Sequence, residues 1–160
     1  VHPSDTAPAL IALDARIKTS KRTLRAEDFF QVEVSRTTVL EDDEIVTEIQ
    51  VPKPESGAKS AFLKFALRKS IDFPIVNCAA KITTKGGKVD DARICLNAVH
   101  VKPYRAFMAE EAIMGKAIDD ETSAEAAGNA AVSNAKPLHD NAYMVQAAKI
   151  MVKRAILACN

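Results

Sequence analysis

From Ile45 the chain alternates with a period of two. Ile45, Thr47, Ile49 and Val51 fall on one face of an extended segment, and Val46, Glu48 and Gln50 on the other. A weaker alternation runs from Ala15 to Ser20, where Ile17 and Thr19 separate Arg16, Lys18 and Ser20, and Thr23-Leu24-Arg25 can return as a second short strand. Ahead of these, Ser4 or Asp5 is placed to cap a helix from Thr6 to Leu13. Pro8 is tolerated in its first turn, where a missing N–H has no partner to lose. Glu27 to Phe30 forms a helical turn that plants two aromatics, and Glu41-Asp42-Asp43 makes an acidic turn. Pro52-Lys53-Pro54-Glu55-Ser56-Gly57 is a loop, since two prolines and a glycine exclude either regular element.

Beyond that loop the pattern predicts three strands, Ser60 to Leu67, Ile75 to Thr84 and Val89 to His100. The last two are rich in β-branched residues and joined at Lys85-Gly86-Gly87-Lys88, where Gly-Gly supplies the positive φ of a hairpin turn. After Pro103 the texture becomes helical. One helix is predicted from Arg105 to Gly115, a second from Asp119 to about Asn134, and a third from Asp140 or Asn141 to the end, with Pro137 as the break. In the third, Gln146, Lys149 and Lys153 form one narrow polar stripe and the rest is apolar, which predicts a largely buried helix. Tyr143 and Phe107 are expected in the core. Strands followed by helices give an α+β fold. The predicted architecture is a short mixed α/β piece over 1–54, then a three-stranded antiparallel sheet packed with a three-helix bundle over 55–160.

Composition narrows the function classes. The 160 residues suffice for one domain or two tightly associated pieces, and 48% hydrophobic with 27% charged is an ordinary globular mixture. Lys and Arg total 22 against 21 for Asp and Glu, so no basic excess points to nucleic acid or to a membrane surface. No apolar run approaches the ~20 residues of a membrane span. A soluble, cytoplasmic setting is expected. Cys78, Cys95 and Cys159 are scattered and odd in number, as are His2, His100 and His139, so neither a metal site nor a Ser/His/Asp site can be assembled from them. Free thiols of this kind suit a reducing compartment.

Physical chemistry alone offers one place for a ligand. Lys64, Arg68 and Lys69 precede Ile71-Asp72-Phe73-Pro74, which interrupts two strands. Cations beside a loop carrying an aromatic can hold an anion or a flat conjugated ring, or simply form a solvated strand face. Asp5 on the same terms is an N-cap. Gly86-Gly87 is a turn and not a phosphate cradle, because no helix N-terminus follows it.

Several segments together resemble a known family. His2-Pro3-Ser4-Asp5-Thr6-Ala7-Pro8-Ala9-Leu10 and then Ala12-Leu13-Asp14-Ala15 resemble the second half of the FAD-binding domain of molybdenum hydroxylases, the xanthine dehydrogenase and aerobic carbon monoxide dehydrogenase relatives. Asp28-Phe29-Phe30 and the segment from Glu44 to Pro52 continue that pattern. Phe62 to Pro74 looks like the family's flavin-side loop. The hairpin, Asp140-Asn141-Ala142-Tyr143 and Val152-Lys153-Arg154-Ala155 resemble the C-terminal domain of its separate flavoprotein subunits. The resemblance covers essentially the whole chain and divides it into the C-terminal part of the FAD-binding domain (1–54) and the flavoprotein C-terminal domain (55–160).

The resemblance implies an oxidoreductase subunit that is not active alone. In that family a molybdopterin cofactor in a large subunit oxidises the substrate, 2Fe-2S clusters in a small subunit carry the electrons, and FAD passes them to an external acceptor. It implies that Asp5 hydrogen-bonds the FAD, that the Val46 backbone contacts it, and that Lys64 sits close to the isoalloxazine. Arg68 to Pro74, including Asp72, lies beside the ring, with Phe73 over its face. The family's glycine-rich pyrophosphate loops have no counterpart in this sequence, so an N-terminal FAD-binding segment is an expected partner. Met144 stands where relatives often carry arginine. The alternative is a cofactor-free α+β interaction module that only docks partners. Convergence of Asp5, Val46, Lys64 and Phe73 on one cleft separates the two.

Overall fold

The computed structural model describes residues 2–69 and 71–160. The first element is α1 (Thr6–Ala12), capped through Ser4, whose Oγ accepts the Ala7 N–H at 3.1 Å. Asp5 occupies the N-cap position without making the capping bond, and its carboxylate is engaged elsewhere. Three short antiparallel strands follow in the order β2-β1-β3: β1 (Arg16–Thr19), β2 (Thr23–Arg25) and β3 (Val46–Gln50). Between β2 and β3 sits the turn of helix α2 (Ala26–Phe29), which packs Phe29 edge-on to Phe30 with ring centroids 5.4 Å apart. The acidic turn is anchored by Glu44. Its buried carboxylate accepts from Thr19 Oγ1, from Arg22 Nε and Nη2, and from the Glu41 N–H. Strand β3 forms where its alternation predicts, but every one of its residues is exposed, so neither face is covered among the described residues.

The second sheet runs β4 (Ala58–Phe65), β5 (Val76–Lys85), β6 (Lys88–Asn97) and β7 (Tyr104–Arg105), all antiparallel in that order. Gly86 and Gly87 both have positive φ, +58° and +77°, the backbone a two-residue hairpin turn of this twist requires. The sheet has four strands where three were predicted. The extra one is two residues long, and Arg105, expected to open a helix, instead pairs in the sheet and bridges Glu110 and Glu27.

The three predicted helices are α3 (Phe107–Ile113), α4 (Glu121–Ala131) and α5 (Ala142–Leu157). Val76, Cys78, Ile82, Ile94 and Leu96 turn to one side of the sheet and share a core with Ile113, Val152 and Ile156 from the helices. Residues of the alternate register, such as Cys95, cluster with Ala7 and Ile11 of α1. The sheet is therefore sandwiched between the helical layer and α1. Small residues on α4 allow a close crossing with α5: a Cβ at Gly128 would lie 2.6 Å from the Lys149 carbonyl oxygen. The polar stripe of α5 is not merely solvated, since Lys149 pairs with Glu125 and Lys153 with Glu121. Two expectations fail here. Tyr143 is 58% exposed, because the buried face of α5 begins only at Ala148, and Phe107 is 51% exposed with the Arg105 guanidinium stacked 4.4 Å from its ring centroid.

All three cysteines are buried and unpaired. Burial pushes the Cys159 thiol up to about 11 and raises Cys78 and Cys95 as well, so none is poised as a nucleophile. Among the described residues no helix is long and apolar enough to cross a membrane, and no group of acidic, histidine and cysteine side chains could hold a metal ion.

Candidate functional site

At one end of the second sheet three polar residues stand side by side across three strands: Lys64 on β4 opposite Asn77 on β5, and Asn77 opposite Asn97 on β6. Directly opposed residues share a face, and this face is the one covered by α1. The N-terminal end of α1 meets the row. Lys64 Nζ donates to Asp5 Oδ2 at 2.6 Å and to the Asp72 carbonyl oxygen at 2.5 Å. Asp5 Oδ1 accepts from Asn77 Nδ2 at 2.9 Å, and the Ser4 carbonyl accepts from Asn97 Nδ2 at 2.5 Å.

The loop after β4 closes on itself. Arg68 Nε and Nη2 both reach the Asp72 carboxylate at 3.2 Å, and Asp72 Oδ1 accepts the Phe73 N–H at 3.0 Å. The Arg68 guanidinium holds the Asp72 carboxyl below its usual range, and Arg68 is correspondingly raised by Asp72. The loop returns to the sheet through the Ile75 N–H, which donates to the Phe65 carbonyl at 2.8 Å. Leu67, Ile71 and Phe73 stand out from it into solvent, Phe73 being 72% exposed.

Five of the six residues singled out in the sequence thus form one connected cluster: Asp5, Lys64, Arg68, Asp72 and Phe73. Val46 is not joined to it; it lies in the other sheet, paired with Thr19, and no hydrogen bond or ion pair links it to the other five among the described residues. The arrangement has a definite chemical capacity. A lysine ammonium has three N–H donors, and two are committed to Asp5 and Asp72, so one remains for an acceptor brought to the loop. Beside it lies an aromatic face free to stack. A carbonyl-edged, flat, conjugated molecule satisfies both.

Residues 61–159 match the family described as CO dehydrogenase flavoprotein C-terminal domain, and residues 1–54 match the FAD binding domain in molybdopterin dehydrogenase. The chain belongs to the molybdenum hydroxylase flavoprotein family. It is similar to the carbon monoxide dehydrogenase medium chain of Hydrogenophaga pseudoflava, 32% identical over 98% of this chain and 56% of that one. It is also 34% identical to the glyceraldehyde dehydrogenase medium chain of Sulfolobus acidocaldarius, over 74% of this chain and 42% of that one. Among solved structures, the Hydrogenophaga pseudoflava carbon monoxide dehydrogenase superposes with a TM-score of 0.87 at 33% identity, covering 98% of this chain and 56% of that one. The quinoline 2-oxidoreductase of Pseudomonas putida 86 gives 0.85 at 28% identity, covering 98% and 55%. The chain spans about half the length of the relatives it matches. The mixed fold with antiparallel sheets is that of the family's FAD subunits.

Two members of the row across the sheet, Asn77 and Asn97, are not among the six residues expected from the sequence. Asn77 and Asn97 sit in strands whose neighbours are apolar, and a buried asparagine in such a run was the available signal. Met144 lines a separate cavity of about 520 Å³ with Leu96, Val99, Tyr104, Val132 and Ala148, and that cavity includes none of the six residues.

Proposed function

We propose that this chain forms part of the FAD-binding electron-transfer subunit of a molybdenum-containing hydroxylase, in which electrons from 2Fe-2S clusters reach an external acceptor by way of FAD. The proposed partners are a large subunit carrying the molybdopterin cofactor, a small 2Fe-2S subunit, and an N-terminal FAD-binding segment. The proposed setting is the cytoplasm, which three buried, unpaired thiols suit.

The observation that carries the reading is the convergence of Asp5, Lys64 and Asp72 beside the exposed Phe73. The donor set fits the ring end of a flavin. Lys64 would present its remaining N–H to the carbonyl and nitrogen edge of the ring, Phe73 would cover part of a face, and the Arg68–Asp72 pair would hold the loop in shape. Bound FAD would supply the reversible two-electron chemistry. The protein's part is to bind, orient and bias it electrostatically. Of the four residues whose convergence separates this reading from a docking module, Asp5, Lys64 and Phe73 meet while Val46, in the other sheet, does not, and Val46 enters the reading only through its backbone. The diphosphate end calls for several converging N–H donors, and no glycine-rich loop opening a helix provides them among the described residues.

The test is co-expression. The 160-residue chain is expected to purify colourless, and to yield a yellow, FAD-containing complex when co-expressed with the N-terminal FAD-binding segment of a flavoprotein of this family. Stoichiometric FAD retained by the chain alone through gel filtration would contradict the assignment of the diphosphate site. A stable complex that stays colourless with FAD in excess would favour the cofactor-free docking module.

A further inference from the structure

Asn77 and Asn97 are fully buried, yet the Oδ1 atom of each has no hydrogen-bond partner among the described residues. Burying an amide with an unsatisfied oxygen costs free energy that an apolar side chain at the same place would not. The next residues on the same face, Ala79 and Cys95, are apolar and equally buried, so the sheet packs against α1 without polar groups one step away. What the two asparagines supply is donors. Asn97 Nδ2 fixes the Ser4 carbonyl, and Asn77 Nδ2 fixes Asp5 Oδ1, leaving Asp5 Oδ2 directed at Lys64. Asp5 is itself solvent-exposed, and no hydrogen bond from α1 holds its carboxylate. Without Asn77 it is tied only to the lysine it is meant to place.

We propose that Asn77, seated beside Asn97, is a positioning residue. It locks the Asp5 carboxylate onto the Lys64 ammonium and so sets how much of that positive charge is offset at the flavin edge. The inference rests on the reading of Lys64 as the flavin-side cation. Asn77 touches neither ring nor substrate in this scheme and acts through Asp5. Removing its donor frees the carboxylate to turn into solvent, which leaves the ammonium less neutralised and favours negative charge nearby.

The test is a double-mutant cycle read as the midpoint potential of flavin bound in the flavoprotein that contains this chain, with Lys64→Ala as the control. Asp5→Asn and Asn77→Ala are each expected to raise the potential, and the double variant to sit no higher than Asp5→Asn alone, because Asn77 has nothing left to position. Should Asn77→Ala fail to fold, Asn77→Thr suits a strand while stopping short of Asp5, and carries the same expectation. An Asn77 variant with unchanged potential, or one whose shift adds fully to that of Asp5→Asn, overturns the positioning role while leaving Lys64 in place. An unchanged potential in Lys64→Ala overturns both.

Discussion

Replacing Lys64 by alanine probes the electrostatics of the cluster most sharply, because the structure shows that its charge is already partly spoken for. At ~4 Å and an effective dielectric near 20, an ammonium favours a unit negative charge by about 4 kcal/mol. The Asp5 carboxylate lies 2.6 Å from that ammonium. With the ring edge on the other side of the ammonium, roughly 6.6 Å away, that carboxylate would oppose the same charge by about 2.5 kcal/mol. The intact pair therefore favours charge on the ring by only about 1.5 kcal/mol, whereas Lys64→Ala leaves the carboxylate alone and swings the balance by about 4 kcal/mol. Solvent screening at a half-exposed site reduces this severalfold, to about 1–2 kcal/mol. For a two-electron couple that is about 20–45 mV. Spectroelectrochemical titration of the FAD-loaded flavoprotein should show the Lys64→Ala potential lowered by that amount. A potential unchanged within error, with FAD fully bound, would mean that Lys64 is an ordinary strand lysine.

Two further outcomes concern the scaffold. Gly128→Ala puts a methyl group 2.6 Å from the Lys149 carbonyl and should force α4 and α5 apart, lowering stability by about 1–3 kcal/mol in a denaturant titration; a neutral result would show that the crossing is loose. The Arg22 guanidinium and the Thr19 hydroxyl hold the Glu44 carboxyl down to about 2, against about 4.5 when unfolded. Its depressed pKa stabilises the fold above pH 4.5, and that contribution is lost as pH falls from 4.5 toward 2. Urea titrations should therefore show wild type and Glu44→Gln converging in stability over that range, and parallel curves would refute the linkage.

The strands, the hairpin and the three late helices were legible because each carries a local signal, whether alternation, a Gly-Gly turn or a proline break. β7 was not, since two residues have no periodicity, and Arg105 there also bridges to Glu27 some eighty positions earlier, a contact no local pattern announces. The exposure of Tyr143 and Phe107 was illegible for a related reason: helical spacing says which residues share a face, not how far the covering sheet extends. In the site, Lys64, Arg68, Asp72 and Phe73 are close in sequence and were found together, and the family resemblance brought in Asp5 from across the chain. Of the two cap candidates, Asp5 holds the N-cap position while Ser4 makes the capping bond. Asn77 and Asn97 were missed because a polar residue inside a strand gives no hint of its partner until the sheet's register sets Asn77 opposite Lys64 and Asn97 opposite Asn77.

The most direct test of the central claim is a crystal structure of the FAD-loaded flavoprotein that contains this chain. Lys64 Nζ should lie within hydrogen-bonding reach of the isoalloxazine edge, with the Asp5–Lys64–Asp72 contacts retained and Phe73 against the ring. An isoalloxazine bound away from this cluster, with Lys64 and Phe73 still facing solvent, would contradict it.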